Sequence, residues 1–600
     1  MSLLDDASLL VTPNAEKEGK LYSIIPTNGN GDFTVTRATT ATRVNAAGLV
    51  EVVPYNLLQY SEMFTNAIWT KNFSSISANV AIAPNGTLTA DKLIPNTSNN
   101  FHSVGYQFSL NPTFTTTTFS AYMKADGYNY GNLLIVSGSG FSNFLEVIFN
   151  LQNGTIENTG RSVGGYVGTS SIESVGDGWY RCSVTVTNTI LNTTHSTFIT
   201  TQPTNNPTVT YSGNGTSGIL VWGAQFEMGA LTTYQMTETR LNIPRLDYSL
   251  GSCPNILLEP QRTNLALRSE EFDNASWTKV ASSVTANSTT SPSGIVNAET
   301  FIGNGTSNSH FLVQNLSVTL GVVYTHSVYA KKNTNNFIQL AFNNGFAATS
   351  FANFDLNNGV LGTVGATATA TITNVGNDWY RCTLTATATS TTTTNIPAIL
   401  LVTSASAVFF QSNSLSTSVF LWGAQLEAGA YATSYIPTTS ASVTRNQDLI
   451  SSTIPSILNA SSGTLFVDAF PVVTSAINQT IASINDGTTS RGFWLGLDNG
   501  VLQVRFRNNG GITSANSSFS ITNLQRIKIA LTWNGSSITL FANGVKRINN
   551  NLLGANYPST INTIQMQGDG SFFGINRNFI NSMALFPTPL TDTQCIALTT

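Results

Sequence analysis

The sequence reads GWYRCSVTVT at residues 178–187 and DWYRCTLTAT at residues 378–387. After the cysteine, apolar and hydroxyl side chains alternate, which is the pattern of a half-buried β-strand. A second pair of stretches, WGAQFEMGA at 222–230 and WGAQLEAGA at 422–430, lies the same 200 residues apart. The common spacing indicates one module that occurs twice. Repeated modules are typical of multivalent binding or of extended structural proteins.

The duplication extends towards the N-terminus, where SEMFTNAIWTK at 61–71 corresponds to SEEFDNASWTK at 269–279. A Thr-Arg pair recurs at three joints between these regions: Thr36-Arg37, Thr239-Arg240 and Thr444-Arg445. These signals predict six segments: an N-terminal arm (1–55), module 1 (56–238), a connector (239–263), module 2 (264–443), a linker (444–460) and a C-terminal domain (461–600).

Period-two alternation continues through most of the chain, and no long stretch shows an apolar stripe of helical period. Asn-Gly turn signals at 153–154, 358–359, 499–500 and 543–544 separate the alternating runs. In the C-terminal domain they predict one hairpin around residues 498–500 and a second over residues 526–544. The sequence therefore predicts an all-β protein of tandem antiparallel β-sandwiches.

The composition excludes several classes of function. Charged residues make up 9% of the 600 residues and the formal net charge is −4, so binding to nucleic acid or to an anionic membrane is not expected. No apolar run approaches the length of a membrane span, and the acidic start of the chain favours assembly in a cytoplasm. Cys182 and Cys382 occupy equivalent positions and are expected to be buried thiols.

The patterns that mark catalytic or metal sites are not found in the sequence. His102, His195, His310 and His326 form no close-spaced metal pair, and none is expected to align between the two modules. The few acids of the C-terminal domain are spread as turn formers are, and no nucleophile elbow or phosphate loop stands out. We therefore predict no catalytic residue, no metal and no cofactor.

The repeated tryptophans and arginines have two interpretations each. Alternation places Trp222 on one face with Leu220, Ala224 and Phe226, which favours a core position for Trp222 and Trp422 over an exposed ligand platform. Arg181 and Arg381 are expected to tie a strand to a loop carbonyl or to Glu227 and Glu427, and direct ligand binding is the alternative.

The repeated motifs also carry a family resemblance. The Phe-x4-Trp opening, the Trp-Tyr-Arg-Cys strand and the Trp-Gly-Ala-Gln-x-Glu strand resemble the jelly-roll, carbohydrate-binding-like modules of bacteriophage structural proteins. The C-terminal domain, with its Trp-Asn-Gly and Asn-Gly hairpin, is similar to laminin-G/concanavalin-A-like lectin sandwiches. The resemblance implies two jelly rolls followed by a concanavalin-A-like sandwich, in a head or tail fibre or decoration protein on a phage virion surface. It further implies a homotrimer that contacts other virion proteins.

Two sets of candidate residues follow from this resemblance. For the arm we expect docking on another virion protein, through Leu3, Leu4, Leu9 and Leu10, or pairing between protomers, and the alternative is a first strand of module 1. For the C-terminal domain, candidate contacts to a host-surface glycan are Trp494, Arg505, Arg507 and Trp533, although strand patterns make core positions as plausible for both tryptophans. The rival functions are a purely architectural decoration protein and a polysaccharide-degrading fibre enzyme.

Overall fold

A computed structural model describes residues 3–53, 56–109, 116–138, 141, 143–187, 194–205, 210–394, 396–473, 478–488, 490–508, 511–535, 537–552, 560–567, 574 and 576–600. In these residues the strands pair antiparallel into sheets that stack as sandwiches, which confirms the all-β prediction. The chain forms two compact units. One unit spans Pro54–Arg240, and the other comprises Met1–Val53 together with Leu241–Thr600.

The unit Pro54–Arg240 contains module 1, a sandwich of two six-stranded sheets. The first sheet has the strand order Thr155–Val163, Phe144–Asn150, Tyr130–Ser137, Thr194–Gln202, Ser103–Ser109 and Thr70–Asn72. The second has the order Gly168–Gly176, Trp179–Val186, Thr117–Asp126, Gly218–Met228, Ala90–Pro95 and Ser74–Ala81. A small pair, Asn99–Asn100 with Tyr211–Ser212, accompanies them. Alternating residues such as Phe119, Ala121 and Met123 fill the core between the sheets.

Module 2 belongs to the other compact unit and has the same plan. Its first sheet runs Val360–Val364, Phe351–Asp355, Phe337–Ala341, Ala398–Leu401, His310–Val313 and Thr278–Val280. Its second runs Ala368–Asn374, Tyr380–Thr387, Val323–Lys332, Ser418–Ala428, Val296–Gly303 and Ser282–Thr290. Each strand of the two six-stranded sheets of one module has its counterpart at the same place in the other, so the duplicated sequence is also a duplicated topology.

The correspondence corrects one prediction about the histidines. His102 and His310 are equivalent, since both are buried and each ring Nδ1 lies 2.6 Å from a main-chain oxygen, that of Phe73 or of Ala281. The prediction that no histidine aligns between the modules is therefore wrong. Both rings hold a neighbouring segment against a sheet, and this is a structural role.

The C-terminal sandwich stacks an eight-stranded sheet on a nine-stranded one. The first sheet orders Leu246–Asp247, Asn255–Leu258, Asn578–Phe586, Ser462–Pro471, Ile527–Asn534, Ser537–Ala542 and Val545–Leu552, with Leu9–Val11 also on Asn578–Phe586. The second orders Glu16–Lys17, Lys20–Leu21, Phe33–Thr36, Leu449–Thr453, Thr563–Met566, Gln479–Asn485, Arg491–Asp498, Val501–Asn508 and Gly511–Ser520. Both predicted hairpins are present, because Asp498 pairs with Val501 and Asn534 pairs with Ser537.

The N-terminal arm is part of this C-terminal sandwich, so the alternative of a first strand of module 1 is wrong. Leu9 is fully buried in the core of the sandwich, and Leu10 and Leu3 pack on a smaller cluster around Phe466. The side chain of Leu4 lies outside the described residues. Leu9–Val11 pairs with a strand of the C-terminal domain rather than with module 1, and Leu9 is not accessible to another protein in this fold.

Three short elements complete the described structure. Ala41–Val44 and Val50–Val53 form a separate two-stranded hairpin, which we call the arm hairpin (residues 41–53). Arg262–Asn264 pairs with Val443–Arg445 and joins the two ends of module 2. Apart from a single 3₁₀ turn, Leu3–Asp6, the helix of the described chain is Asp592–Thr599, which the alternation analysis missed although Thr591 and Gln594 form a capping box at its start.

Candidate functional site

A β-bulge brings Trp222 out of the main core of module 1. The pairing between Thr117–Asp126 and Gly218–Met228 shifts register between Ser120 and Tyr122, and Gly223 sits at the shift with φ 59°. Leu220 and Trp222 therefore point to the outer face of the sheet, while Ala224 and Phe226 point into the core. Strict alternation placed all four on one face, and the bulge makes that prediction wrong because one extra residue reverses the side of every residue after it.

On this outer face Trp222 is the centre of an aromatic cluster. The Tyr122 ring lies 5.1 Å from the Trp222 ring and the Tyr234 ring lies 4.9 Å from it, measured between centroids. The indole Nε1 donates to Thr89 Oγ1 at 3.2 Å, and the Tyr234 hydroxyl lies 2.7 Å from Ser61 Oγ. Trp222 is 4% exposed, whereas both tyrosines are half-buried. The cluster is held in place and open on one side.

Two charged side chains flank the cluster. The Arg181 guanidinium lies 5.5 Å from the centre of the Tyr122 ring and donates from Nη2 to Ser120 Oγ at 3.3 Å. Glu173 is opposite Arg181 on the neighbouring strand and is exposed. The expected tie from Arg181 to Glu227 is not the bond that forms, because Glu227 accepts from Gln225 and from the Thr232 amide instead. Arg181 thus keeps donor capacity at the surface.

These residues line an open groove of about 760 Å³, which we call the outer-face groove. A groove of this size suits a ligand of several sugar rings or a similar small molecule. Its lining combines three aromatic rings, a cation, one carboxylate and small polar groups: Pro84, Asn85, Tyr122, Glu173, Arg181, Trp222, Leu231, Thr232, Thr233 and Tyr234. Apolar ring faces beside a few hydrogen-bonding groups are the usual composition of a ligand site.

Module 2 reproduces the aromatic cluster with nearly the same geometry. Tyr329 and Trp422 are 5.1 Å apart, Trp422 and Tyr435 are 4.6 Å apart, and the Arg381 guanidinium lies 5.3 Å from the centre of the Tyr329 ring. Thr373 stands where module 1 has Glu173, because it pairs with Arg381. The three rings of module 2 are at most 4% exposed, in contrast to the two half-buried tyrosines of module 1.

Known proteins resemble parts of this chain in structure. No protein-family model matches the sequence, and no curated protein matches it significantly. Solved structures do match. The CBM40 domain of the Ruminococcus gnavus IT-sialidase is 20% identical over 24% of this chain and 87% of that chain, with a TM-score of 0.22.

Two binding domains of botulinum neurotoxins also match. The serotype G binding domain is 11% identical over 25% of this chain and 40% of its own, with a TM-score of 0.21. The receptor-binding domain of the C/D mosaic serotype is 15% identical over 26% of this chain and 40% of its own, with a TM-score of 0.21. This chain thus covers about 40% of each of these two binding-domain chains. A structural likeness of this extent does not identify a ligand for this chain.

The tryptophans predicted as sugar contacts in the C-terminal domain do not face solvent. Trp533 lies in the core and Trp494 is 1% exposed, so neither presents a ring to a ligand. Arg505 is half-buried and its guanidinium forms an ion pair with Asp498 at 2.9 Å, while Arg507 is half-buried on the same strand. Trp494 is opposite Arg505 in the strand pairing, whereas Trp533 belongs to the other sheet.

Metal sites, cysteine thiols and membrane-spanning helices can be assessed in the described part of the chain. Within it, no group of three or more His, Cys, Asp or Glu residues is placed to hold a metal ion. Cys182 and Cys382 are free, buried thiols, as predicted, and burial raises the pKa of both well above the usual value. The helix in the described residues is too short to cross a membrane.

Sequence analysis missed a buried ionic cluster in the unit that contains the C-terminal sandwich. Glu259 accepts from Arg245 at 2.7 Å and also pairs with Arg445, and Asp448 accepts from Arg37 at 2.8 Å and also pairs with Arg245. All five side chains are at most 2% exposed. The repeated Thr-Arg pairs were the sequence signal for this cluster, because Arg37 and Arg445 belong to two of those pairs.

Proposed function

We propose that this protein is a non-catalytic, glycan-binding structural protein of a phage particle, and that the outer-face groove of module 1 holds the sugar. The observation that carries the proposal is the open side of the aromatic cluster, beside Glu173 and Arg181. Sugar rings present C–H faces that pack on aromatic rings and hydroxyl pairs that bind carboxylates and guanidiniums. Because one cation and one carboxylate balance, the favoured ligand is a neutral pyranose oligosaccharide.

The lining of the groove also supports a binding role over a hydrolytic one. Glycoside hydrolysis uses two carboxyl groups that flank the scissile bond. Among the described residues that line the groove, Glu173 is the one carboxylate. Incubation with capsular polysaccharide is expected to release no oligosaccharide, and release would favour the enzymatic alternative.

The test of glycan binding uses the full chain on an array of neutral oligosaccharides, followed by titration of the strongest hit. Glu173→Ala is expected to weaken binding about 10- to 150-fold, since a charge-assisted hydrogen bond contributes about 1.5–3 kcal/mol. Thr373→Ala, at the equivalent position in module 2, is the matched control and should leave the affinity unchanged. Absence of binding, or equal affinity of Glu173→Ala and the unaltered protein, would overturn the glycan site and favour an architectural protein.

The assignment to a phage particle rests on the resemblance of the repeated motifs. An antibody against the chain is expected to label the surface of purified particles, on the head or the tail. Light scattering of the purified protein tests the trimer that the resemblance implies, and a monomer at particle-like concentrations would argue against it.

A further inference from the structure

The arm hairpin covers the part of module 2 that is equivalent to the outer-face groove. Val50 packs in one cluster with Tyr329, Trp422 and Tyr435, and this cluster has no equivalent of Val50 in the described residues of module 1. The Val50 amide donates to the Pro292 carbonyl at 3.0 Å. Pro292 corresponds to Pro84, which lines the open groove. The hairpin therefore sits where a groove ligand would sit.

Two equivalent glycines show the difference between the modules directly. A Cβ atom added to Gly294 of module 2 would lie 2.9 Å from Leu49 Cδ1, because the hairpin crosses this turn. A Cβ atom added to Gly86 of module 1 would meet nothing within 4 Å. The two backbones have the same left-handed conformation, with φ 81° and 83°, so the difference lies in what covers them.

The hairpin is fixed by charges that lie away from the aromatic rings. Arg43 pairs with Glu51 at 2.8 Å across the hairpin and with Glu16 of the arm at 3.3 Å. The Val44 amide donates to Asp247 at 2.8 Å. The hairpin contacts the module 2 surface through the apolar side chains of Val50 and Leu49, and the Thr42 hydroxyl donates to the Tyr435 carbonyl.

From these contacts we propose that module 2 contains a second saccharide site on the same type of aromatic cluster, sealed by the arm hairpin. The inference rests on the proposed function, since it assigns to module 2 the ring-packing chemistry of the module 1 groove, with Thr373 in place of the Glu173 carboxylate. The hairpin occupies the site as an internal surrogate ligand. The chain consequently binds one oligosaccharide although it contains two copies of the module.

The test is the stoichiometry of oligosaccharide binding, measured by titration calorimetry of the full chain with cellohexaose, maltohexaose and chitohexaose. The unaltered protein is expected to bind one molecule per chain. Replacement of residues 41–53 by a Gly-Ser linker of equal length should raise the number to two. Val50→Asp is a second, smaller change, which places a charge against Trp422 and keeps the ion pairs of Arg43. Addition of Trp422→Ala to either variant should return the number to one.

The possible outcomes separate the two proposals. No binding by the unaltered protein overturns the glycan function itself. One molecule per chain both before and after the hairpin is opened, in variants that keep their circular dichroism spectrum, overturns the sealed site and leaves the module 1 site standing. Two molecules per chain in the unaltered protein would show that the hairpin does not seal module 2.

Discussion

Glu259 and Asp448 are the two carboxylates of the buried ionic cluster in the larger unit. Burial alone would raise the pKa of both carboxyl groups. The pKa of Glu259 is nevertheless held well below its usual value by the Arg445 and Arg245 guanidiniums. The pKa of Asp448 is likewise held below its usual value by Arg245 and Arg37. Both groups are therefore ionised in the folded protein, and each guanidinium depends on them for compensation. A buried ion pair adds little net stability, but removal of one partner leaves an uncompensated charge.

The first prediction concerns this cluster. Asp448→Asn is expected to lower the free energy of unfolding by about 3–5 kcal/mol, because Arg37 and Arg245 lose their shared acceptor in a buried place. Asp498→Asn, which breaks the partly exposed pair with Arg505, is the control and should cost less than about 1 kcal/mol. Urea denaturation measures both. Equal losses for the two variants would contradict the central role of the cluster.

A second prediction concerns a buried carboxyl group of module 2. Burial, with the Asp273 carboxylate nearby, raises the pKa of Glu299 to about 8. Since the unfolded state ionises near pH 4.5, the stability contributed by the neutral group is complete below that pH and is lost as the pH rises towards 8. Glu299→Gln, which stays neutral, should therefore stabilise the protein by on the order of 2 kcal/mol at pH 8 and by little at pH 4.

Thermal unfolding at the two pH values measures this effect. Glu271→Gln changes a half-buried carboxylate on the same module, which pairs with Arg268, and serves as the control. A Glu299→Gln variant that is no more stable at pH 8 than at pH 4, relative to the unaltered protein, would show that Glu299 is ionised in the fold.

Among the elements, the strand Gly218–Met228 shows both the strength and the limit of sequence reasoning. Alternation and the repeat identified it as a strand and located the equivalent strand Ser418–Ala428. Alternation alone does not reveal the register shift at Gly223, so it predicts the wrong face of the sheet for Trp222. A Gly in a strand is a signal for a bulge, and the repeated Trp-Gly pair offered that signal twice.

The arm illustrates a different limit, since its pairing is separated by hundreds of residues. Leu9 pairs with Leu585 and Val35 with Ile450, and no local pattern specifies such partners. The apolar pairs of the arm were recognised, but their place in the C-terminal core was not. Long-range strand pairing is determined by the complete core and not by the segment itself.

Deletion of residues 1–36 tests this placement. The change removes Leu9, Val11, Leu21, Phe33 and Val35 from one core, and each contributes about 1.5–3 kcal/mol when buried. We expect the C-terminal sandwich to lose cooperative unfolding, as followed by near-ultraviolet circular dichroism and limited proteolysis. A truncated chain that melts at the same temperature as the full chain would contradict the assignment of the arm to that core.

At the scale of the whole molecule, the two units differ in how their chains are arranged. Pro54–Arg240 is one continuous segment, whereas the other unit combines Met1–Val53 with Leu241–Thr600. The sequence predicted the duplication, the sandwich class and the C-terminal hairpins, because these depend on local alternation and on the repeat. The ionic cluster and the sealed groove depend on contacts between distant segments, so the sequence alone could not place them.

The continuity of Pro54–Arg240 gives a prediction about independent folding. A fragment of residues 54–240 is expected to fold alone and to melt within a few degrees of the corresponding transition of the full chain. A fragment of residues 461–600 is expected not to fold, because it lacks the strands of the arm and of the connector. Calorimetry of both fragments measures this, and a folded 461–600 fragment would contradict the described core.

On this proposal the duplicated module carries one type of saccharide site, open in module 1 and covered in module 2. The decisive measurement is a crystal structure of the full chain soaked with the strongest array hit. Sugar density is expected against Tyr122 and Tyr234 in the outer-face groove, with the arm hairpin still packed on Trp422. Density in the C-terminal domain with an empty groove in module 1, or density beneath the hairpin, would contradict it.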